Sequence, residues 1–251
     1  MPSASDQLVM TVFTTPLERG DGRPLAVVQA MEHSFPGLHL VWDVTEDGQL
    51  LKLPRREQWF SEAVARGDFP LVCNGDESYP VMVYGIPRDA VSPAGQSALS
   101  IHGKLPLESQ AIRAAVGTLE GVGEAARGWW GDMSPSAVVL MVAEQVWHPF
   151  SAPHTPPLGL PLLKPPDEFD SPLIPYRLGW VNYWSAATAQ LLGFPDLSRD
   201  GLLLARSRRT ASGGWVVPLT EEPLDLDNPR HLDALRLAYV RFPAIRGRSC
   251  P

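Results

Sequence analysis

The stretch LHLVWDVTEDGQLLKL, residues 38–53, places two strand-like runs on either side of an Asp47-Gly48 pair. Asp-Gly favours a tight hairpin turn, because glycine adopts a positive φ at little cost. The runs 38–44 and 48–53 are therefore predicted to pair as antiparallel strands.

Further strands and helices alternate along the chain on both sides of this hairpin. Predicted strands cover residues 8–13, 69–73, 81–86, 98–103, 137–146, 178–184, 201–206 and 214–219. Predicted helices cover residues 24–34, 55–66, 107–129, 185–192 and 229–242. Strands that neighbour each other through hairpins, with helices interspersed, indicate an α+β fold with largely antiparallel sheets and packed helices.

Three of these elements carry specific expectations. The helix 107–129 contains Gly117, Gly121 and Gly123, and glycine is unfavourable in a helix interior, so a break or kink is expected there. The nearly continuous apolar run 137–146 suits a strand buried on both faces. Strand 201–206 is expected to form the last hairpin with 214–219.

Residues 148–175 contain nine prolines and cannot hold a helix interior or a central strand. Connections of this length are usually functional or flexible. We expect a single domain over 1–251, with the alternative of two sub-halves, 1–147 and 176–251, joined by the proline-rich connection.

The charge of the chain indicates which class of partner it can attract. The net charge is −7, and because residues 201–251 carry eight basic and five acidic groups, residues 1–200 carry −10. Such a surface repels phosphate backbones and attracts basic proteins. Direct nucleic-acid binding is not expected.

The predicted location is the cytoplasm. No apolar run reaches the roughly 18 residues of a membrane span, the best candidate being 137–143. Residues 1–7 lack the basic start and apolar middle of a secretory signal. Cys73 and Cys250 are not expected to form a disulfide in such a chain.

Motifs for catalysis, metals and cofactors are weak. The six histidines show no metal-ligand spacing with cysteines or with each other, and His148 with His154 is the least poor pair. Residues 95–99, GQSAL, lack the closing glycine of a nucleophile elbow, and no phosphate-binding glycine loop ends in Gly-Lys-Ser or Gly-Lys-Thr. We therefore expect no enzyme activity, no metal and no cofactor.

Acidic groups on loops are the candidates for binding a basic partner, because complementary charge speeds encounter and excludes wrong partners. Tryptophans are the other candidates: Trp180 is expected in the core, whereas Trp184 is left open as a contact residue. The predicted partner-binding residues are Asp167, Glu168, Asp170, Trp184, Glu221 and Glu222.

The C-terminal third resembles the Immunity protein 52 family of bacterial polymorphic-toxin systems. The resemblance spans about residues 178–240 and rests on four pieces in order: GWVNYW (179–184), GLLL (201–204), GWVVPLTEEP (214–223) and NPRH (228–231). It implies an α+β fold, no enzymatic activity, and a cognate toxin, often a restriction-endonuclease-like nuclease.

Together, charge and resemblance predict a cytoplasmic protein that neutralises a toxin by covering its basic, nucleic-acid-facing cleft. Two alternatives remain open. One is a hydrolase whose site is assembled by the fold, with His102 or His148 beside an acidic loop. The other is an adaptor that loads an effector onto secretion machinery.

Overall fold

A computed structural model of the chain describes residues 6–45, 47–88, 96–146 and 156–245. Within these ranges lie seven helices and ten strands. The strands are β1 (Gln7–Thr14), β2 (Trp42–Val44), β3 (Leu50–Lys52), β4 (Val72–Cys73), β5 (Met82–Arg88), β6 (Ala98–Pro106), β7 (Trp130–Pro135), β8 (Val181–Trp184), β9 (Arg208–Arg209) and β10 (Trp215–Pro218). The helices are α1 (Arg23–Ser34), α2 (Arg56–Ala65), α3 (Ser109–Ala125), α4 (Ser136–Gln145), α5 (Ala186–Leu192), α6 (Gly201–Leu204) and α7 (Pro229–Arg241).

All ten strands form one sheet in the order β3-β2-β4-β5-β6-β1-β7-β8-β10-β9, and every neighbouring pair is antiparallel. The predicted α+β class with an antiparallel sheet is thereby confirmed. β7 pairs with β8 across the proline-rich connection, so strands from residues 1–147 and 176–251 belong to the same sheet.

The predicted turn at Asp47-Gly48 is confirmed, and two helices are capped by residues of the expected type. β2 and β3 form the hairpin around Asp47-Gly48, where Gly48 has a φ of 76°. Gly193 ends α5 with a φ of 65°, and the Asn228 side chain accepts a hydrogen bond from the Arg230 N–H at the start of α7. Turns and caps of this kind depend on residues that are close together in the chain, so they can be predicted from the sequence alone.

Helices cover both faces of the sheet. Tyr183 on β8 donates a hydrogen bond to Glu124 of α3, at 2.8 Å. Trp184, the next residue, points to the other face and packs edge-to-face on Phe242 at the end of α7, with ring centroids 5.0 Å apart. Both faces are therefore buried, and neither side of β8 reaches solvent.

Residues 137–146 do not form the predicted buried strand but belong to α4. Val138 and Val142, four residues apart, are 2% and 7% exposed, whereas Leu140 between them is 68% exposed. This is the period of a helix with one buried side. A short apolar run fits a buried strand or a buried helix equally well, which explains the wrong prediction.

Residues 201–206 are also not the predicted strand. α6 occupies residues 201–204, and its amide at Leu204 donates to the Asp200 carbonyl at 2.7 Å. β10 pairs instead with β9 at Arg208–Arg209 and with β8. Asp200 is 1% exposed and bound by Arg241 of α7, a long-range contact that sequence periodicity does not reveal.

α3 runs unbroken from Ser109 to Ala125, so the predicted break at its glycines is wrong. A Cβ on Gly123 would lie 2.7 Å from the Cγ atom of Tyr183. Glycine is needed there for close packing of α3 on β8, not for a bend. The predicted helix extended to Trp129, and it thereby missed β7, which begins at the fully buried Trp130.

Candidate functional site

The described part of the proline-rich connection, residues 156–175, is fastened to the sheet. Phe169 is 2% exposed and packs against Tyr176, with ring centroids 5.6 Å apart. The Trp130 indole N–H donates to the Pro172 carbonyl at 3.1 Å, and the Thr188 hydroxyl donates to the Leu173 carbonyl at 3.0 Å. We call residues 156–175 the strap.

The strap presents the first predicted acidic group to solvent. Asp167 and Asp170 are exposed and Glu168 is half-buried, while Phe169 between them anchors the segment in the core. Because the Phe169 ring is buried between Asp167 and Asp170, it fixes the positions of these two exposed carboxylates. Asp167 and Glu168 lie on one short helical turn, and Asp170 follows just after Phe169.

The second predicted acidic group lies on the loop after β10. Glu221 and Glu222 are exposed. The Thr220 hydroxyl donates to the Glu222 carbonyl at 2.6 Å, and the Thr220 carbonyl accepts from the Trp180 indole at 3.1 Å. This loop is also held by the core, and within the described ranges no hydrogen bond or ion pair joins it to the strap carboxylates.

Trp184 is not a contact residue. It is fully buried, with Phe194 and Phe242 edge-to-face on it at 5.2 and 5.0 Å. Tyr183 and Trp184 do point to opposite faces, but helices cover both faces, so neither ring reaches a partner. Trp180, at 2% exposed, is in the core as predicted.

The sheet carries a polar row, partly beneath the strap, of which only His102 was a candidate from the sequence. One residue on each of five neighbouring strands contributes, and the strand register aligns them side by side. The row consists of Tyr84, His102, Thr11, Asp132 and Asn182. Thr11, a polar residue within the apolar run 8–13, was the signal available in the sequence.

A buried ion pair occupies the centre of this row. Arg177, which follows the strap, lies 3.1 Å from one Asp132 carboxylate oxygen through Nε and 3.0 Å from the other through Nη2. Arg177 also donates to the Thr11 hydroxyl at 3.1 Å. Burial raises the pKa of Asp132, and the Arg177 charge opposes that shift only in part.

His102 lies beside this ion pair in a cationic environment. One ring nitrogen is 2.9 Å from the Ser100 hydroxyl, and the ring stacks on Tyr84. Burial, and then the charges of Arg88, Arg177 and Lys104, lower the pKa of His102 to about 4. The imidazole is neutral at pH 7, and its hydrogen bond goes to a hydroxyl, not to the acidic loop of the hydrolase alternative.

A partly open cavity of about 220 Å³ lies between the strap and two residues of the polar row, Thr11 and His102. Its basic lining residues are Arg88 on β5, Lys164 on the strap, and Arg177, which follows the strap and binds Asp132 and Thr11 of the sheet. The remaining lining is Thr11, Phe13, His102, Val142, Val146, Leu163, Pro166 and Tyr176.

The residues that the structure describes contain a free thiol but no metal-binding cluster. Within them, no group of three His, Cys, Asp or Glu residues is placed to hold a metal ion. Cys73 is a buried free thiol, and burial raises its pKa. Trp147, His148, His154 and Cys250 lie outside the described residues.

None of the seven described helices is both long enough and apolar enough to cross a bilayer.

The fold and the cavity define an α+β protein whose single antiparallel sheet is covered on both faces. The chain matches the family described as Domain of unknown function (DUF5953) over residues 19–250, and it belongs to that family. It is similar in structure to the Pseudomonas aeruginosa T6SS protein PA0821, with a TM-score of 0.57 and 14% identity, over 98% of this chain and 77% of that chain. No curated protein matches the sequence.

At 14% identity the likeness to PA0821 shows a shared fold over nearly the whole chain. The resemblance of residues 178–240 to the Immunity protein 52 family stays a prediction.

Proposed function

We propose that this protein is an immunity protein that binds an effector of a type VI secretion system and neutralises it in the cytoplasm. The observation that carries the proposal is the strap, where exposed Asp167 and Asp170 flank the buried anchor Phe169. The similar P. aeruginosa protein is described as a T6SS protein, which supports the same setting.

Anchoring matters because a binding surface that is already ordered loses little conformational entropy on association. Prolines in the strap restrict the unbound chain further. Fixed carboxylates on a chain whose first 200 residues carry −10 would steer a basic partner toward the strap and orient it. Glu221 and Glu222, on a second fixed loop, extend the acidic surface in the proposal.

The proposed partner is a nuclease of the restriction-endonuclease-like type, as the Immunity protein 52 resemblance implies. A nuclease needs a basic cleft to hold its phosphate backbone. An acidic strap laid on that cleft would exclude the substrate by occupying the same positive charges. Inhibition would be stoichiometric, with no bond made or broken, and a standard interface of about 1,600 Å² suffices for tight inhibition when a few central residues are well packed.

The experiment compares two double variants that remove the same number of charges. D167N/D170N removes the exposed strap carboxylates, and E57Q/E62Q removes two exposed carboxylates on α2. We expect the strap variant to slow association with the effector by about tenfold and to weaken its dependence on salt, since peripheral charges act mainly on the association rate. The α2 variant should match the unmodified protein.

Surface plasmon resonance at two ionic strengths gives both quantities. Equal slowing by the two double variants would attribute the effect to net charge alone. No slowing by the strap variant would remove the strap from the interface. Either result would contradict the proposed binding surface.

A further inference from the structure

The cavity beneath the strap has a charge opposite to that of the protein. Arg88, Lys164 and Arg177 line a space of about 220 Å³, and Arg177 is paired with Asp132, which is not part of the lining. His102 adds no charge at pH 7, because burial and the surrounding cations hold its pKa near 4. Even when only Lys164 and Arg177 are counted against Asp132, the cavity wall keeps a positive charge in a chain of net charge −7.

Two of these cations are held in place from different parts of the fold. Arg177 is fixed by Asp132 and Thr11 on the sheet. Lys164 belongs to the strap, where its ammonium lies over the Phe169 ring at 5.7 Å from the centroid. Within the described ranges no ion pair of Lys164 with a carboxylate is present.

The other walls are apolar. Phe13 and Tyr176 form an aromatic corner, with ring centroids 4.9 Å apart. Val142 of α4 and Leu163 of the strap add further apolar lining. A small polyanion such as inorganic phosphate would leave these apolar walls without a partner, whereas an anion with a hydrocarbon body would contact both kinds of wall.

We propose that this cavity binds a small organic carboxylate with an apolar body, its carboxylate between Lys164 and Arg177 and its body against Phe13 and Tyr176. The volume suits a ligand of about ten non-hydrogen atoms, taking roughly 20 Å³ for each by comparison with the 30 Å³ share of a water molecule. The proposal does not depend on the immunity function, because it concerns the space between strap and sheet, not the outer surface.

Occupancy would couple the cavity to the strap. Lys164 and Pro166 line the cavity, and Asp167 follows directly on the outer surface. An anion that bridges Lys164 of the strap to Arg177, which is itself bonded to Thr11 of β1 and Asp132 of β7, would hold the strap more tightly against these two strands. Ligand binding would then stabilise the conformation that presents the acidic group.

The test uses the full chain and benzoate as the probe, with benzamide as its uncharged isostere and inorganic phosphate as an anion without an apolar body. The NMR signal of the His102 ring, assigned with H102Q, reports from inside the cavity. We expect benzoate to shift this signal saturably while the His33 and His231 signals stay in place, and we expect benzamide and phosphate to leave it unchanged at equal ionic strength.

K164Q and K52Q form a matched pair of variants. Lys52 on the edge strand β3 also lies over an aromatic ring, 5.9 Å from the centroid of Trp42, but far from the cavity in the strand order. K164Q should weaken benzoate binding about tenfold, because a charge-assisted hydrogen bond to a carboxylate is lost, and K52Q should not change it.

Four results would overturn the proposal. They are no saturable shift with benzoate, an equal shift with benzamide, a shift with phosphate alone, and equal affinity in K164Q and the unmodified protein. A circular dichroism spectrum and unfolding midpoint for K164Q establish that the variant is folded, so that lost binding is attributable to the missing charge.

Discussion

His102 shows how a single buried side chain takes its chemistry from its neighbours. The imidazole lies on β6 between Tyr84 and Thr11 of the polar row, and its environment is cationic. Adding a proton there places a fourth positive charge among Arg88, Arg177 and Lys104. The folded state therefore resists protonation that the unfolded chain accepts readily.

This difference predicts a pH dependence of stability. The folded pKa of about 4 lies below the unfolded value of about 6.5, so the unfolded state binds more protons as the pH falls between them. The contribution of His102 is thus present above pH 6.5 and is lost as the pH falls toward 4. Between pH 7 and pH 5 the free energy of unfolding should fall by about 2 kcal/mol from this residue.

H102Q removes the titrating group and keeps an amide that can reach the Ser100 hydroxyl. Urea unfolding at the two pH values should show a smaller decrease in H102Q than in the unmodified protein, by about that amount. H33Q, at a histidine outside the cavity, is the control. An identical decrease in H102Q and the unmodified protein would mean that His102 titrates normally in the fold.

Individual residues also show which parts of the site could be predicted from the sequence and which could not. The acidic residues of the strap were found because charge and proline content are visible in one dimension. Asp132 and Arg177 were not, since they are 45 positions apart and meet only when β7 and the strap are both in place. Trp184 was left open because the sequence does not show that helices cover both faces of β8.

Within the helix α3, Gly123 and Gly117 have different structural roles. Gly123 packs against Tyr183, and an added methyl group would lie 2.7 Å from the ring. Gly117 has more room, since its added Cβ would meet nothing nearer than the Arg208 guanidinium at 3.8 Å. One glycine permits close approach to the sheet, and the other only weakens the helix.

Alanine at the two positions should therefore have opposite effects. G123A should lower the free energy of unfolding by about 1–3 kcal/mol, as overpacking in a core does. G117A should raise it by up to about 1 kcal/mol through helix propensity. Urea unfolding of both variants measures this, and stabilisation by G123A would show that Tyr183 moves aside without cost.

The two wrongly predicted elements, α4 and α6, share a cause. Each is short, and each is apolar enough to suit a strand, so periodicity does not separate the two structures. In both cases the surrounding structure favours a helix. α4 packs on β1 and β7, and α6 follows Asp200, which Arg241 binds. The longer elements with caps or tight turns, such as α7 and the β2–β3 hairpin, were predictable from local chemistry.

For the whole molecule, one sheet joins the two regions on either side of the proline-rich connection. The fold class was predictable from hairpin signals, whereas the strand order was not, because β1 lies between β6 and β7 through long-range pairing. The strap is likewise held in place by the whole fold, because its contacts come from Trp130 of β7, from Thr188 of α5 and from Tyr176, which follows the strap. An acidic surface on such a strap is a property of the assembled protein.

The central claim is that this assembled surface silences an effector by stoichiometric binding. The most direct measurement is titration of a purified candidate effector, sought among the neighbouring genes, with the purified protein while effector activity and complex size are followed. The account predicts that activity falls linearly to a sharp end point at a fixed ratio near one, with a stable complex on a sizing column. Full activity despite a complex would point to an adaptor, inhibition at far below one protein per effector would point to an enzyme, and either result would contradict the claim.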